Sequence, residues 1–331
     1  MIEIENLRKI YYTKSKYSDR KAVPAVRDVS LKIPEGSAIS LIGESGCGKT
    51  TIGRILCGLE TPTSGTIRIN GQDMSKLKRK KRGELLEKIQ LIHQDPYQAL
   101  NPSHTIHQIL QATLKKMAKR KGKDSGWIKE RMEELLKLVG LDPATVLLKY
   151  PHMLSGGQRQ RIIIARALTV EPEVLVADEA VSMIDVSLRL GILKLLRNLR
   201  EEHNISILFI THDVAAARYL GKDTQLFVIY KGKISEKGKT DTVINSPHHP
   251  YTQSLLSAIP TLRGIEKPGK DRFVLKTEIN SNEMGETGCL FADRCPFSQS
   301  VCFEKAPELT GNDHDYACYF PEERDVTAKS V

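Results

Sequence analysis

The stretch GESGCGKTT, from Gly43 to Thr51, carries the clearest chemistry in the chain. It fits the pattern G-x-x-x-x-G-K-[ST], whose task is to hold phosphate. Gly43, Gly46 and Gly48 let the backbone curl so that its N–H groups face an anion. Glu44, Ser45, Cys47 and Thr51 complete the loop and its exit. Lys49 puts a positive charge at the β and γ phosphates of a nucleotide, and the Thr50 hydroxyl can ligate Mg²⁺. The predicted helix that starts here aims its positive end at the same anion. A glycine-rich turn of no consequence is the plain alternative. It gives way because the loop follows an apolar strand pattern, SAISLIG, and precedes a helix.

A second stretch, EVLVADEA (173–180), supplies carboxylates. An apolar strand delivers Asp178 to its carboxyl end, where open α/β sheets bind ligands. Asp178 can hold Mg²⁺ through water, and Glu179 can polarise an attacking water. Two acids after a strand also suit an ordinary helix start. Beside the phosphate loop that alternative becomes minor.

The third chemical feature is a run of thiols spaced C-x5-C-x6-C-x15-C, Cys289, Cys295, Cys302 and Cys318. Four thiolates suit zinc or an iron–sulfur cluster. Structural zinc prefers paired C-x2–4-C knuckles, and none of these gaps is so short. Wider loops better surround a cubane, and Pro296 after Cys295 echoes the Cys-Pro of some cluster sites. Disulfides or free thiols remain the alternative, disfavoured in a reducing compartment. A structural staple for a tail with few apolar residues is the plainest role for any group bound there. Cys47 and Cys57 read as small packing residues.

These groups need elements to position them. MIEIENLRKIYY, AVRDVSLKIP, SAISLIG, TSGTIRINGQDM and KIQLIHQ read as strands, with Asn70-Gly71 a turn. A polar loop spans 13–22. From 103 to 170 the spacing turns helical, with apolar residues at Ile128, Met132, Leu135, Leu136 and Val139. Helix GQRQRIIIARALTV, strand 173–178, helix 187–203 and strand 206–213 then alternate, which implies a parallel sheet with helices on its faces. Short strands follow near 230, then one helix in SPHHPYTQSLL, then a tail that is strand-like from 272 and loop-rich beyond. The expected units are 1–240, with a helical subdomain at about 95–170, and 241–331.

The chain has 331 residues and a formal charge of +10, concentrated in KLKRKKR (76–82) and KKMAKRKGK (115–123). Blocks this short read as solvated surface, with lipid headgroups or nucleic acid as the functional alternative. No signal-peptide pattern opens the sequence. No apolar run is long enough to span a bilayer. A cytosolic protein that reaches membranes through partners is expected.

LSGGQRQR (154–161) resembles the signature sequence of ABC-type ATPases. Gln94 in IHQD resembles their Q-loop glutamine, VSMID (181–185) their D-loop ending in Asp185, and His212 in FITHD their switch histidine. Tyr11, or else Tyr12, resembles the aromatic that stacks on adenine. The resemblance implies an α/β fold: a P-loop ABC ATPase core with a mainly parallel sheet, an antiparallel β subdomain and a helical signature subdomain, plus a small cysteine-rich extension. It implies ATP and Mg²⁺ as ligands and hydrolysis driven by Glu179 and His212. It also implies that Ser155, Gly156, Gly157, Gln158 and Asp185 contact the ATP held by a second subunit. Helix-opening N–H groups at Ser155–Gly157 suit such an anion site. Ala180 and SMID depart from the family's usual Pro and SALD, which touches D-loop packing but removes no catalytic group.

ESGCGKTT, HQDPYQALNP (93–102) and HHPYTQSLLSAIP (248–260) each resemble the oligopeptide/dipeptide importer ATPases, and the cysteine tail resembles their extension. That likeness implies a [4Fe–4S] cluster, with Zn²⁺ as the alternative. It favours an F-type over a D-type subunit. The implied partners are a D-type ATPase in a heterodimer, two membrane permeases and, indirectly, an external solute-binding protein, at the cytoplasmic face of the membrane. Import of nickel or sugar is the nearer alternative. A nucleic-acid-handling ATPase is the remote one, and no nucleic-acid partner is expected.

Overall fold

The computed structural model describes residues 1–12, 22–257 and 287–321. The polar loop read at 13–22, the end of the HHPYTQSLLSAIP stretch and the strand-like start of the tail at 272 therefore fall wholly or largely outside the described residues.

Two sheets form. Strands β1 (Ile2–Tyr12), β2 (Ala22–Ile33), β4 (Ser64–Ile69) and β5 (Gln72–Asp73) make an antiparallel sheet in the order β2-β1-β4-β5. The larger sheet adds β3 (Ala38–Ile42), β6 (Ile89–Ile92), β7 (Val174–Asp178), β8 (Ser206–Thr211), β9 (Gln225–Tyr230), β10 (Lys233–Lys239) and β11 (His314–Tyr316). Its order is β11-β10-β9-β3-β8-β7-β6. The five strands from β9 to β6 are parallel, and β10 and β11 run antiparallel at one edge.

The central strands are buried along their whole length. Continuous apolar runs suit them because both faces are covered. Their alternation still sorts the side chains. Leu175, Ala177, Ile207 and Phe209 join a core with the helices Ile106–Lys121, Ser125–Leu138 and Gly156–Leu168. Val176, Leu208 and Ile210 face the other way, onto the helix Lys49–Leu56 and the antiparallel sheet.

Local signals start and stop the helices. Thr105 and Gln108 form a reciprocal capping box at Ile106, and Gly122 ends that helix in the left-handed region. The helix Arg79–Glu87 has no buried residue. Its lysine-rich stretch reads from sequence only as a charged run. The second basic run lies on the helix Ile106–Lys121, where Arg120 pairs with Glu87 and Lys121 with Glu171.

The C-terminal residues do not stand apart from this body. β11 adds to β10, so a segment beyond residue 287 completes the main sheet. Glu236 of β10 is fully buried, and its carboxylate accepts from the His248 and His249 N–H groups at 2.8 and 3.1 Å. His314 Nε2 lies 2.7 Å from the same carboxylate. A buried carboxylate needs such partners.

Phe209 is wholly buried at the middle of β8. Phe209→Ala leaves a cavity in the helical-side core and should lower stability by about 3–5 kcal/mol. Denaturant unfolding followed by circular dichroism measures it. A midpoint equal to that of the unaltered protein would contradict this packing.

Candidate active site

The register of four adjacent parallel strands sets the site. Ile42 of β3 pairs with Thr211 of β8, Ile210 of β8 with Asp178 of β7, and Ala177 of β7 with Ile92 of β6. The strand ends are thus level. One or two residues further on stand Gly43, His212, Glu179 and Gln94.

The loop Gly43–Gly48 is held in shape by its surroundings. Gly48 has φ of +104°, and a Cβ there would lie 2.1 Å from the Ala25 carbonyl oxygen. Gly43 has φ of +152°, and a Cβ would lie 2.2 Å from the Ile229 carbonyl oxygen. Both positions therefore demand glycine twice over. Gly232 N–H donates to the Cys47 carbonyl at 2.9 Å. Cys47 itself packs into the core beside the loop.

Lys49 is buried, and its ammonium donates to the carbonyls of Gly43 at 2.7 Å and Glu44 at 2.9 Å. The Thr50 hydroxyl donates to Asp178 Oδ1 at 3.0 Å. Burial pushes the Asp178 carboxyl above its ordinary pKa, against the Thr50 hydrogen bond and the Lys49 charge. A hydroxyl and a charged carboxylate in contact beside a phosphate loop fit Mg²⁺, which takes few protein oxygens and relies on phosphates for the rest.

Glu179 is placed by its backbone. Its φ is +46°, and its N–H donates to the Ile210 carbonyl at 2.9 Å. Non-glycine residues rarely adopt this region, and such strain gathers at functional sites. The turn sets the carboxylate between two groups. Gln94 Nε2 donates to Oε2 at 2.8 Å, and His212 Nδ1 lies 3.5 Å from Oε1.

A second cluster is built around the start of the helix Gly156–Leu168. Ser155 Oγ accepts from Gln158 N–H, and the Gln158 side chain accepts from Ser155 N–H. The Arg159 guanidinium lies 4.2 Å from the Tyr97 ring centroid. Arg189 donates to the Ile184 carbonyl at 3.0 Å and folds the segment that leads to Asp185. Asp185 precedes the helix Val186–His203 without a side-chain cap hydrogen bond. Tyr11 sits partly exposed at the end of β1, with the Lys9 ammonium 4.9 Å from its ring centroid.

No disulfide joins any of the six cysteines, so the disulfide alternative is not realised. Cys289, Cys295, Cys302 and Cys318 line one pocket together with Phe291 and Phe320. Burial pushes the Cys289 thiol up to about 11, with charge on Cys318, Cys302 and Cys295 acting the same way. Among the described residues, no group of three or more His, Cys, Asp or Glu could hold a metal ion.

Two contacts to the phosphate loop have no signal in the sequence. Arg294 forms a two-pronged ion pair with Glu44, and the Tyr251 hydroxyl accepts from Glu44 N–H. Neither residue sits in a pattern that announces a loop some 200 or more positions away.

Residues 26–182 match the family described as ABC transporter, and residues 235–302 match the one described as oligopeptide/dipeptide transporter, C-terminal region. The chain is 39% identical over 324 residues to the oligopeptide transport ATP-binding protein AppF of Bacillus subtilis (strain 168), covering 96% of this chain and 97% of that protein. It is 36% identical over 313 residues to the dipeptide transport ATP-binding protein DppF of Escherichia coli (strain K12), covering 93% and 90%. Among solved structures, it resembles the dimeric post-hydrolysis state of the ATP-binding cassette MJ0796 bound to ADP and Pi. The TM-score is 0.63 and the identity 28%, over 72% of this chain and 99% of that one.

The Asp178 shift gives a test. A carboxyl with a raised folded pKa binds its proton more tightly when folded, so stability falls as pH rises towards that value. The penalty is fully present above the raised value. Asp178→Asn should therefore raise the melting temperature of the nucleotide-free protein at neutral pH. The gain should shrink as pH falls through the raised pKa. An unchanged or lower melting temperature at pH 7 would show that the buried charge is compensated.

Proposed function

Because this chain belongs to the ATP-binding subunits of the oligopeptide and dipeptide ABC transporters, we propose that it hydrolyses MgATP at these strand ends to power peptide uptake. The observation that carries the reading is Glu179, held between Gln94 and His212 one residue beyond the Thr50–Asp178 pair.

The roles follow from position. Backbone N–H groups of the loop Gly43–Gly48, except that of Glu44, which Tyr251 holds, and of the start of the next helix receive the phosphates. Lys49 exchanges its two carbonyl partners for β and γ phosphate oxygens. Thr50 and Asp178 would hold Mg²⁺, which when bound neutralises charge on the phosphate oxygens. Glu179 accepts a hydrogen bond from the attacking water and draws its proton as the oxygen approaches the γ phosphorus. Gln94 orients that carboxylate. His212 fixes its other oxygen and reaches the γ phosphate. The bond from the γ phosphorus to the bridging oxygen breaks, and ADP leaves. Tyr11 stacks on the adenine.

Ser155, Gly156, Gly157, Gln158 and Asp185 act on the nucleotide of a second ATPase subunit. Exposed apolar side chains around them, Tyr97, Met183, Leu188 and Leu190, support a surface that another chain covers. The reading includes an F-type role, with a D-type partner, two membrane permeases and an external binding protein that supplies the peptide. The chain works at the cytoplasmic face of the membrane. Among the described residues no helix is long and apolar enough to cross a membrane, which fits attachment through partners. Residues 1–240 serve as the ATPase unit, with a helical part at about 95–170, and 241–331 as a cysteine-bearing extension.

The four thiols are assigned to a [4Fe–4S] cluster. Their convergence on one pocket supports it. A single Zn²⁺, with thiolates about 2.3 Å away, is the alternative. A cubane is wider, and its positive iron would offset the charge of four thiolates in a buried pocket. Its role is to fasten the loop-rich segment that runs from Cys289 to Cys318.

Glu179→Gln should lower ATP turnover by about 10² to 10⁴-fold while ATP remains bound. Phosphate release and equilibrium nucleotide binding measure the two separately. Turnover like that of the unaltered protein would remove Glu179 from the chemistry. For the thiols, protein purified without oxygen should contain about four iron and four sulfide per chain. About one zinc and no visible absorption would reassign the pocket to a structural zinc site.

A further inference from the structure

Glu44 is the second residue of the phosphate loop, and the C-terminal part of the chain grips it twice. Arg294 Nη1 donates to Oε2 and Nη2 to Oε1, each at 2.8 Å. The Glu44 N–H donates to the Tyr251 hydroxyl, also at 2.8 Å. This bond anchors the entry of the loop, and so sets the course of the residues that follow and must wrap phosphate.

Both partners are rigidly mounted. Arg294 directly precedes Cys295 and is largely buried, and its guanidinium lies 5.8 Å from the ring centroids of Tyr230 and Phe291. Tyr251 is fully buried, with its ring 4.6 Å from Tyr230 and 5.5 Å from Phe291. Phe291 also lines the cysteine pocket. A continuous set of three rings thus runs from the thiols to the loop.

Charge gives the contact a purpose. A carboxylate on a phosphate-binding loop repels the anion the loop receives. Arg294 cancels that carboxylate with a planar fork, the most directional ion pair available to a protein. Glu44 is half-exposed, so the pair adds little to folding stability. Its effect falls on the loop.

We propose that Arg294 and Tyr251 are positioning residues for the nucleotide, acting through Glu44, so that ATP affinity depends on the seating of the cysteine-bearing segment. This rests on the ATPase reading and not on the identity of any group held by the thiols.

The test is calorimetric binding of MgATP to the full chain. Arg294→Gln should weaken binding about fivefold or more, with the melting temperature of the nucleotide-free protein nearly unchanged. Arg294→Lys should recover part of the loss, because it restores charge without the fork. Tyr251→Phe should weaken binding about two- to threefold. The deciding variant combines Glu44→Gln with Arg294→Gln. Removing the uncompensated carboxylate should recover most of the affinity lost in Arg294→Gln, which a merely structural defect would not allow. Should Arg294→Gln fail to fold, Arg294→Lys and Tyr251→Phe decide: both weaken binding, or the proposal falls. Equal affinity in Arg294→Gln and the unaltered protein overturns it. So does a double variant as weak as Arg294→Gln. If the unaltered protein itself fails to bind MgATP, the nucleotide reading is what fails.

Discussion

The hydrogen-bonded register of β3, β8, β7 and β6 is the constraint on which the rest depends. Each strand carries its chemistry just past its carboxyl end. Level ends therefore mean converging side chains, and a slip of one residue would displace a group by about 3.3 Å and turn it to the other face. The two cores exist to prevent that slip. Leu175 and Phe209 lock the sheet to the helices on one side, and Val176 and Leu208 lock it to the antiparallel layer on the other. Precision at the site is thus inherited from burial far beneath it.

The site is arranged around buried charges held by few partners. Lys49 leans on carbonyl oxygens, and Asp178 keeps a raised proton affinity despite its hydroxyl partner. Glu179 occupies a backbone region that non-glycine residues seldom use. Each of these features costs stability in isolation. Together they form a preorganised field for a metal-bound polyphosphate, which is how phosphoryl transfer is accelerated with little covalent help from the protein.

The C-terminal residues extend the same logic. Buried Glu236 ties together the turn at His248–His249 and the strand that carries His314. The seated turn supplies Tyr251, which supports the aromatic set beneath Arg294. An appendage that only decorated the ATPase would have no reason to reach the phosphate loop. Here it contributes a strand to the main sheet and two partners to Glu44.

The amino-acid sequence alone determined the groups of the site and most of the elements that bear them. Gly43–Thr51 was legible because a phosphate loop requires glycines, a lysine and a hydroxyl at short fixed spacing, Asp178 and Glu179 because an apolar strand ends at them, and Gln94 and His212 only through the family resemblance. The strands and the helices Ser125–Leu138, Gly156–Leu168 and Val186–His203 were legible because buried faces leave a period. The helix Arg79–Glu87 was not, because only the adjacent Leu85 and Leu86 pack against the core, half-buried, and two neighbours leave no period. Only the tertiary structure decided how these pieces meet. The left-handed turn at Glu179, the docking of β11 on β10, and the grip of Arg294 and Tyr251 on Glu44 are contacts between residues distant along the chain. No local periodicity encodes them, since their partners are selected by sheet order and side-chain packing. Whether four thiols share one pocket was likewise a question of distance in space, and their spacing in sequence bounded the answer without giving it.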